Sequence, residues 1–354
     1  MALEKFPKTQ KVLRIGWVGT GPFSFYGHYI HTINNIFRDY NFLNMRVTHI
    51  WGDDYSRNYK GSEEFVQKML DYWNGEQSPG TIAEKCGIPN VCSDFHEMVN
   101  NVDAAMIMDF DRSEELAEPF LRRGIPIFLC SPVAVNVPTL ERILALATET
   151  GSAVYTGSFT VDMHQNQSRY VRMGKRRDDI ASFFASTSLG FFTSYANDGL
   201  EPVYRLIGDG ARKVSLHGWD GSMGYDPHDV PVSRIHLEYE PRGDKPPIQG
   251  TLNLGGHKNT MEWYRVYFHN HKTFEGVVDW AQAELTFRDF LINLQEVFVT
   301  NKSLETHHDI IQKLKVVIAA FKSANEGGRV VHIDEVGDYR MPTIRIEHWD
   351  EIPA

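Results

Sequence analysis

A β-rich run followed at once by closely spaced glycines is the feature that most restricts what this chain can fold into. Val12 to Val18 reads Val-Leu-Arg-Ile-Gly-Trp-Val, which fits a buried parallel strand. It leads directly into a glycine-rich turn and then into apolar residues at helical spacing. A second apolar run, Met45 to Trp51, ends at Gly52-Asp53-Asp54. Strand, glycine turn, helix, strand and terminal acid, within about 40 residues, are typical of a mononucleotide-binding unit.

The glycine turn indicates how a dinucleotide would be held. Gly19 permits a tight turn, and Gly21 lets the backbone approach a pyrophosphate that the following helix N-terminus also favours. The third small residue, Ser24 or Gly27, departs from strict G-x-G-x-x-G spacing. An acid after the second strand accepts from a ribose 2′-hydroxyl and repels a 2′-phosphate, so Asp53 predicts NAD and not NADP unless it is only a solvated turn residue. The predicted cofactor contacts here are Gly19, Thr20, Gly21, Pro22, Phe23 and Asp53.

Strands and helices keep alternating through the rest of residues 1–156. The predicted elements are strands at Ala104 to Met108, Ile125 to Cys130 and Ala153 to Tyr155, and helices at Ser113 to Arg123 and Val137 to Thr150. This alternation predicts a doubly wound parallel sheet, that is, a Rossmann domain. Asp109 follows the fourth strand, at the edge where ligands of such sheets bind, and is predicted to line the nicotinamide side.

Residues 157–354 have a different pattern. Strands are predicted at Phe183 to Phe192, Lys213 to His217, Ser233 to Tyr239, Gln249 to Leu254 and Glu262 to His269, and helices at Gln282 to Thr300 and His307 to Asn325. Consecutive strands without helices between them predict an α+β domain with an open, mainly antiparallel sheet. We expect this second domain to bind the substrate and to form the oligomer contacts.

Composition excludes several classes of function. A chain of 354 residues favours two domains, and a net charge of −10 argues against a protein that coats nucleic acid or anionic membranes. No apolar segment has the length of a signal peptide or of a membrane span. Three cysteines without metal-type spacing argue against disulfides, so we expect a cytoplasmic protein. The pair His269 and His271 could share a strand face, but without a nearby carboxylate or cysteine it predicts no metal site.

The order of these motifs resembles the Gfo/Idh/MocA (glucose–fructose oxidoreductase and inositol dehydrogenase) family over nearly the whole chain. The resemblance rests on the turn from Gly19 to His28, the segment from Ser93 to Ala105, and the two helices of Glu284 to Gly328, which end in Gly-Gly. It implies NAD as cofactor and the hydroxyl of a sugar, cyclitol or glycoside as the group oxidised. It also implies a homo-oligomer, a dimer or a tetramer, formed through the open sheet.

Two catalytic positions depart from the pattern of that family. The family carries Glu-Lys-Pro or Asp-Lys-Pro after its fifth strand, whose lysine touches nicotinamide and substrate, whereas this chain has Cys130-Ser131-Pro132. The family's general acid/base histidine matches Asp198 in the stretch from Tyr195 to Pro202. The resemblance therefore implies a catalytic role for Ser131 and Asp198, with Pro132 preserving the turn beside the cofactor.

Two functions are compatible with these replacements. In the first, the protein is an NAD-dependent dehydrogenase in which Asp198 is the base and Ser131 hydrogen-bonds the substrate or the nicotinamide amide. In the second, it binds nucleotide or carbohydrate without net redox turnover, or uses a tightly bound NAD for lyase- or hydrolase-type chemistry. Asp198 could instead be a helix cap, and His164 could lie at a helix start. Further residues that could contact the substrate are His164, which could also be catalytic, Gln165, Tyr195 and Asn197.

Overall fold

The chain forms two β-sheets with helices packed on them. The computed structural model describes residues 11–19, 26–36, 43–52, 78–157, 179–187, 200–201, 204, 207–218, 233–254, 262–278 and 283–341. The first sheet has six strands and the second has seven. The predicted class is confirmed: a Rossmann-type α/β sheet is followed by an α+β part with a mainly antiparallel sheet.

The first sheet is entirely parallel and has the strand order of a doubly wound dinucleotide-binding fold, β3-β2-β1-β4-β5-β6. Its strands are β1 (Leu13–Val18), β2 (Met45–Trp51), β3 (Asn90–Val91), β4 (Ala104–Ile107), β5 (Ile127–Leu129) and β6 (Val154–Tyr155). Every residue of β4 and β5 is buried, as expected for strands covered on both faces. The chain order reverses between β1 and β4, and this switch point is where such folds bind ligands.

Helices cover both faces of this sheet. They are α1 (Tyr26–His31, continued by a π-helical turn, Thr32–Ile36), α2 (Pro79–Cys86), α3 (Ser113–Arg122) and α4 (Val137–Thr150). The ends of α4 follow from local chemistry. The Asn136 side chain accepts from the backbone N–H of Thr139 at its start, and Gly151, at φ 68°, provides the left-handed residue at its end.

The second sheet is mixed, in the order β12-β11-β7-β10-β9-β8-β13. Its strands are β7 (Ile180–Thr187), β8 (Ala211–His217), β9 (Ser233–Tyr239), β10 (Gln249–Leu254), β11 (Glu262–Phe268), β12 (Thr273–Val278) and β13 (Val331–His332). All neighbours pair antiparallel except β7 and β10. The sequence prediction missed β12 and β13, and it began β7 at Phe183, three residues late.

Two C-terminal helices join the sheets. Helix α5 (Ala283–Thr300) packs on the first sheet, where Phe290 contacts the rings of Tyr29, Phe128 and Tyr155 at centroid distances of 5.3, 5.5 and 5.9 Å. Helix α6 (His307–Asn325) packs on β8 and on α4. A helix from the second part of the sequence thus contributes to the core of the first sheet, and the boundary at residue 156 remains a prediction.

The segment between α5 and α6 follows the edge strand β6. The Asn301 Oδ1 accepts from the backbone N–H of Ala153 at 2.7 Å, and the Ser303 Oγ accepts from that of Val154 at 3.1 Å. Side chains therefore satisfy backbone donors at the edge of the sheet.

The three cysteines are free and buried. Within the described ranges, no helix is long and apolar enough to cross a membrane.

Candidate functional site at the carboxyl ends of the first sheet

The turn after β1 lies directly against the end of β4. Gly19 has φ 107°, a backbone conformation that L side chains rarely adopt, and a Cβ built there would be 3.3 Å from the backbone nitrogen and the Cβ of Asp109. Hydrogen bonds fix this turn: the Gly19 N–H donates to the Trp51 carbonyl at 2.8 Å, and its carbonyl accepts from Trp17 Nε1 at 2.7 Å. Two predicted cofactor residues, Gly19 and Asp109, are therefore neighbours at the switch point.

The loop after β4 is held by its own side chains. Asp109 Oδ1 accepts from the backbone N–H of Asp111 at 3.0 Å. The Arg112 guanidinium lies 5.4 Å from the centre of the Trp51 ring and pairs with Glu115 at 2.7 Å. Trp51 is the last residue of β2, so the loop after β4 reaches across β1 to the end of β2.

The residues after β5 form the third part of this edge. The Cys130 N–H donates to the Ile107 carbonyl at 2.9 Å, which keeps the end of β5 beside β4. The Ser131–Pro132 peptide bond is cis. The Ser131 Oγ is buried and has no hydrogen-bond partner among the described residues. Because an unsatisfied buried hydroxyl costs free energy, this atom is a candidate to hydrogen-bond a ligand.

A buried ionic cluster lies next to Pro132, and the sequence reading did not identify it. Lys313 of α6 donates to both carboxylate oxygens of Glu201, at 3.0 and 2.9 Å, and to Glu305 Oε1 at 2.6 Å. The Thr156 Oγ1, just beyond β6, donates to Glu305 Oε2 at 2.8 Å. Only 0–5% of each charged side chain is exposed. Pro132, Thr156 and Lys313 line one small cavity.

The protonation state of this cluster follows from its charges. Burial alone would lower the pKa of Lys313, but the carboxylates of Glu201 and Glu305 outweigh burial and raise that pKa. All three ammonium N–H groups are already donated. Lys313 therefore cannot act as a substitute for a catalytic lysine, and its role is to hold its partners.

A signal for Lys313 was present in the sequence. Ile310, Leu314 and Val317 form the apolar stripe of α6, and Lys313 lies in that same stripe. A lysine at a core position requires buried partners of opposite charge. Its partners could not be identified, because Glu201 is 112 residues away in sequence.

His269 and His271, the predicted pair, and His308 do not share a site. His269, Asn270 and His271 form the turn between β11 and β12, with His271 at φ 61°. His308 Nε2 lies 3.0 Å from Asp209 Oδ2 at the start of α6. The described residues contain no group of three or more His, Cys, Asp or Glu side chains that could hold a metal ion.

Most of the predicted substrate and catalytic residues are not among the described residues. The predicted residues that lie outside the described ranges are Thr20, Gly21, Pro22, Phe23, Asp53, His164, Gln165, Tyr195, Asn197 and Asp198. Of the predicted site, the structure brings together Gly19 and Asp109, with Ser131 and Pro132 at the end of the strand next to β4.

Comparison with known proteins gives the class of this fold. The chain is similar to a probable dehydrogenase from Thermotoga maritima, with a TM-score of 0.65 and 16% identity over 92% of this chain and 100% of that one. It is also similar to scyllo-inositol dehydrogenase from Lactobacillus casei with bound NAD(H) and scyllo-inositol (TM-score 0.64, 16% identity, 92% and 100% covered). A third similar structure is GenD2 from gentamicin A biosynthesis in complex with NAD (0.66, 13%, 93% and 98%).

These similarities establish the fold and extend over almost the full length of each chain. No protein-family model and no curated protein sequence matches this chain. The protein thus shares the fold of inositol and other dehydrogenases at low sequence identity.

Proposed function

We propose that the protein is an NAD-dependent oxidoreductase that acts on a hydroxyl of a sugar, cyclitol or glycoside. The observation that carries the proposal is the contact between the Gly19 turn and Asp109 at the switch point of the first sheet. That point is where doubly wound sheets bind dinucleotides. The fold is shared with a scyllo-inositol dehydrogenase that binds NAD(H) and with a second protein in complex with NAD.

The described residues fit a dinucleotide. Gly19 brings bare backbone to the carboxyl edge, where any Cβ would press on Asp109, and the Ser131 Oγ offers a buried hydroxyl to which no described residue is hydrogen-bonded. We assign the phosphate contacts to Gly19, Thr20, Gly21, Pro22 and Phe23, and the ribose contact to Asp53. Asp109 and Pro132 would line the nicotinamide end. NAD, when bound, supplies the hydride acceptor.

The proton transfer is assigned to Asp198. A carboxylate in a partly desolvated pocket gains basicity, which suits removal of a hydroxyl proton as the carbon loses its hydride. Ser131, in the position of the lysine in the resembled family, would orient the nicotinamide amide or the substrate. The remaining proposed substrate contacts are His164, Gln165, Tyr195 and Asn197, with His164 as the alternative proton carrier.

A homo-oligomer and a cytoplasmic setting complete the proposal. The inner face of the second sheet is apolar, whereas the other face carries polar side chains such as His236, Gln249 and Thr251 around a broad groove. We propose that copies of the chain associate through this open face. The three cysteines would stay reduced in the cytoplasm.

The test begins with cofactor binding. NAD⁺, NADH, NADP⁺ and NADPH are titrated into the purified protein, followed by a panel of inositols, sugars and glycosides with formation of NADH as the readout. We expect tighter binding of the unphosphorylated pair and turnover of at least one polyol. Failure of every nucleotide to bind at millimolar concentration would refute the proposal. NAD binding without turnover on any panel member would favour the non-redox alternative.

A matched pair of variants tests the role of Ser131. Within the described part of the chain, Ser131 Oγ and Ser113 Oγ are both buried without a hydrogen-bond partner, and Ser113 lies in the first turn of α3. Neither Ser131→Ala nor Ser113→Ala should lower stability, since each removes an unsatisfied group. Only Ser131→Ala should weaken binding of NAD⁺ or substrate, by about 1 kcal/mol, the usual contribution of one hydrogen bond. Equal ligand binding by both variants would remove Ser131 from the site.

A further inference from the structure

The cluster formed by Glu201, Glu305, Lys313 and Thr156 connects three elements of the molecule that are distant in sequence. Glu201 belongs to the short helical stretch that includes Leu200, Tyr204 and Ile207. Lys313 lies in α6, and Thr156 directly follows β6 of the first sheet. The hydrogen bonds run without interruption from Thr156 through Glu305 and Lys313 to Glu201.

The buried charges of the cluster would cost free energy if the only role of the cluster were to stabilise the fold. One cation and two carboxylates are withdrawn from water, and a buried ion pair often stabilises a protein no better than well-packed apolar side chains. Such a cluster instead fixes positions, because a lysine whose three N–H groups are all donated restrains the position of each acceptor. Tyr204 adds to this fixation, since its hydroxyl donates to Asp309 of α6 at 3.0 Å.

The location of the cluster connects these fixed positions with the proposed active site. Thr156 and Lys313 line a cavity together with Pro132, next to the proposed nicotinamide end. Glu201 follows Asp198 by three residues in the sequence. Glu201, which follows the proposed base in the sequence, is therefore joined to the sheet that carries the proposed cofactor site.

We propose that Lys313 and its partners Glu305 and Thr156 are positioning residues, which fix Glu201, three residues after the proposed base Asp198 in the sequence, relative to the carboxyl edge of the first sheet. This inference rests on the proposed function for its catalytic consequence. Its structural content, the fixation of the stretch around Glu201, does not depend on which reaction is catalysed.

Thr156→Val is the variant of choice. It keeps the shape of a β-branched side chain and removes the hydroxyl that donates to Glu305 from the residue directly after β6. Thr156→Ser restores the hydroxyl. Thr300→Val is the matched control, because the Thr300 hydroxyl donates to the Glu296 carbonyl within α5 and takes no part in the cluster.

Three measurements on the full-length protein decide the outcome. In Thr156→Val we expect kcat to fall by about tenfold to a hundredfold, the effect of a small misplacement of a reacting group. The Kd for NAD⁺ should stay unchanged, and amide hydrogen exchange should rise in peptides covering residues 195–208 but not in those covering residues 11–19. Thr156→Ser should recover kcat and protection, and Thr300→Val should resemble the wild type.

A second variant guards against misfolding as an explanation. Replacing Glu201, Glu305 and Lys313 together by methionine keeps apolar volume and leaves no unpaired buried charge, so the protein should fold. It should show the same selective loss as Thr156→Val. Unchanged exchange at residues 195–208 in both variants would overturn the proposal, as would losses of kcat and NAD⁺ affinity in equal proportion. If the wild type turns over no polyol, the proposed function fails, and hydrogen exchange alone then decides the positioning role.

Discussion

At the scale of single residues, the candidate site depends on a glycine whose backbone can approach neighbouring groups closely because it has no side chain. Gly19 has a positive φ, and a Cβ at this position would lie 3.3 Å from Asp109. Both the backbone conformation and the lack of space therefore exclude larger residues. Gly151 shares only the first property, since its φ is 68° and nothing lies within 4 Å of a Cβ built there. Comparing substitutions at these two glycines therefore distinguishes the effect of backbone strain from the effect of local crowding.

We predict that Gly19→Ala and Gly151→Ala both lower stability by about 1–2 kcal/mol, because alanine resists positive φ. Only Gly19→Ala should also weaken NAD⁺ binding, by about tenfold or more, equivalent to 1.4 kcal/mol. Thermal unfolding and nucleotide titration on both variants check this. Equal nucleotide affinity in the two would show that the turn does not contact the cofactor.

A second residue-scale prediction concerns pH. Asp103 accepts from Arg14 at the backbone N–H (2.9 Å), at Nε (3.1 Å) and at Nη2 (3.0 Å). The hydrogen bonds to Arg14 lower the pKa of Asp103 to about 2 despite partial burial. A lowered pKa stabilises the folded state above the unfolded value of about 3.9, and this contribution is lost as the pH falls toward 2.

Asp103→Asn should therefore cost about 2 kcal/mol at pH 7, and the difference from the wild type should shrink at pH 3. Urea unfolding at the two pH values measures this. Asp94→Asn is the control: the pKa of Asp94 is also lowered, by hydrogen bonds from His96, but its carboxylate is exposed and solvent screens it. A gap for Asp103→Asn that stays constant with pH would contradict the assignment.

At the scale of elements, the sequence predicted what local signals determine. Strands β4 and β5 are uninterrupted apolar runs, and α4 is capped by Asn136 at its start and by Gly151 at its end. Gly19 and Asp109 of the candidate site could be predicted for the same reason, since each follows a recognisable strand, whereas Ser131 was predicted from the resemblance to the Gfo/Idh/MocA family. Elements that depend on distant partners could not: β13 has two residues and pairs with Val214 and Lys213 of β8.

Strand β12 was missed because its stabilising contact lies on another strand. Gly276 weakens the strand signal of Thr273–Val278, yet it stands opposite Tyr264 of β11, whose ring covers it. Phe183 covers Gly250 in the same way. Such aromatic covering of a strand glycine is visible only once the register of the two strands is known.

This pairing gives an element-scale prediction. A Cβ at Gly276 would lie 2.2 Å from the Tyr264 ring, so Gly276→Ala must displace the ring and should destabilise the protein by about 1–3 kcal/mol. Gly80→Ala in α2 is the control, because the nearest atom there is 3.9 Å away and alanine favours helix. Denaturant unfolding of both variants measures the difference. Gly276→Ala as stable as the wild type would mean that the ring does not cover the glycine.

At the scale of the whole molecule, the C-terminal helices connect the two sheets. Helix α5 completes the core of the first sheet through Phe290, α6 packs on β8, and the segment between them satisfies the edge of β6. The sequence predicted both helices but not which sheet each helix packs on, because the apolar stripe of a helix does not identify its partner. This connection leaves the open face of the second sheet, which carries His236, Gln249 and Thr251, available for association.

The last prediction tests association through that face. Thr251 lies on β10 in the middle of the sheet, where its Oγ1 is 3.1 Å from the Nδ1 of His236 on β9. If two copies pack face to face there, Thr251→Arg places unpaired charge in the centre of the interface and should convert the oligomer to a monomer, with the fold kept. Glu149→Arg, on the exposed side of α4, changes charge by more and should leave assembly unchanged. Light scattering coupled to size exclusion, over a range of concentrations, measures the mass of each variant. A wild type that is monomeric throughout, or a Thr251→Arg variant with the mass of the wild-type oligomer, would rule out the open face as the contact.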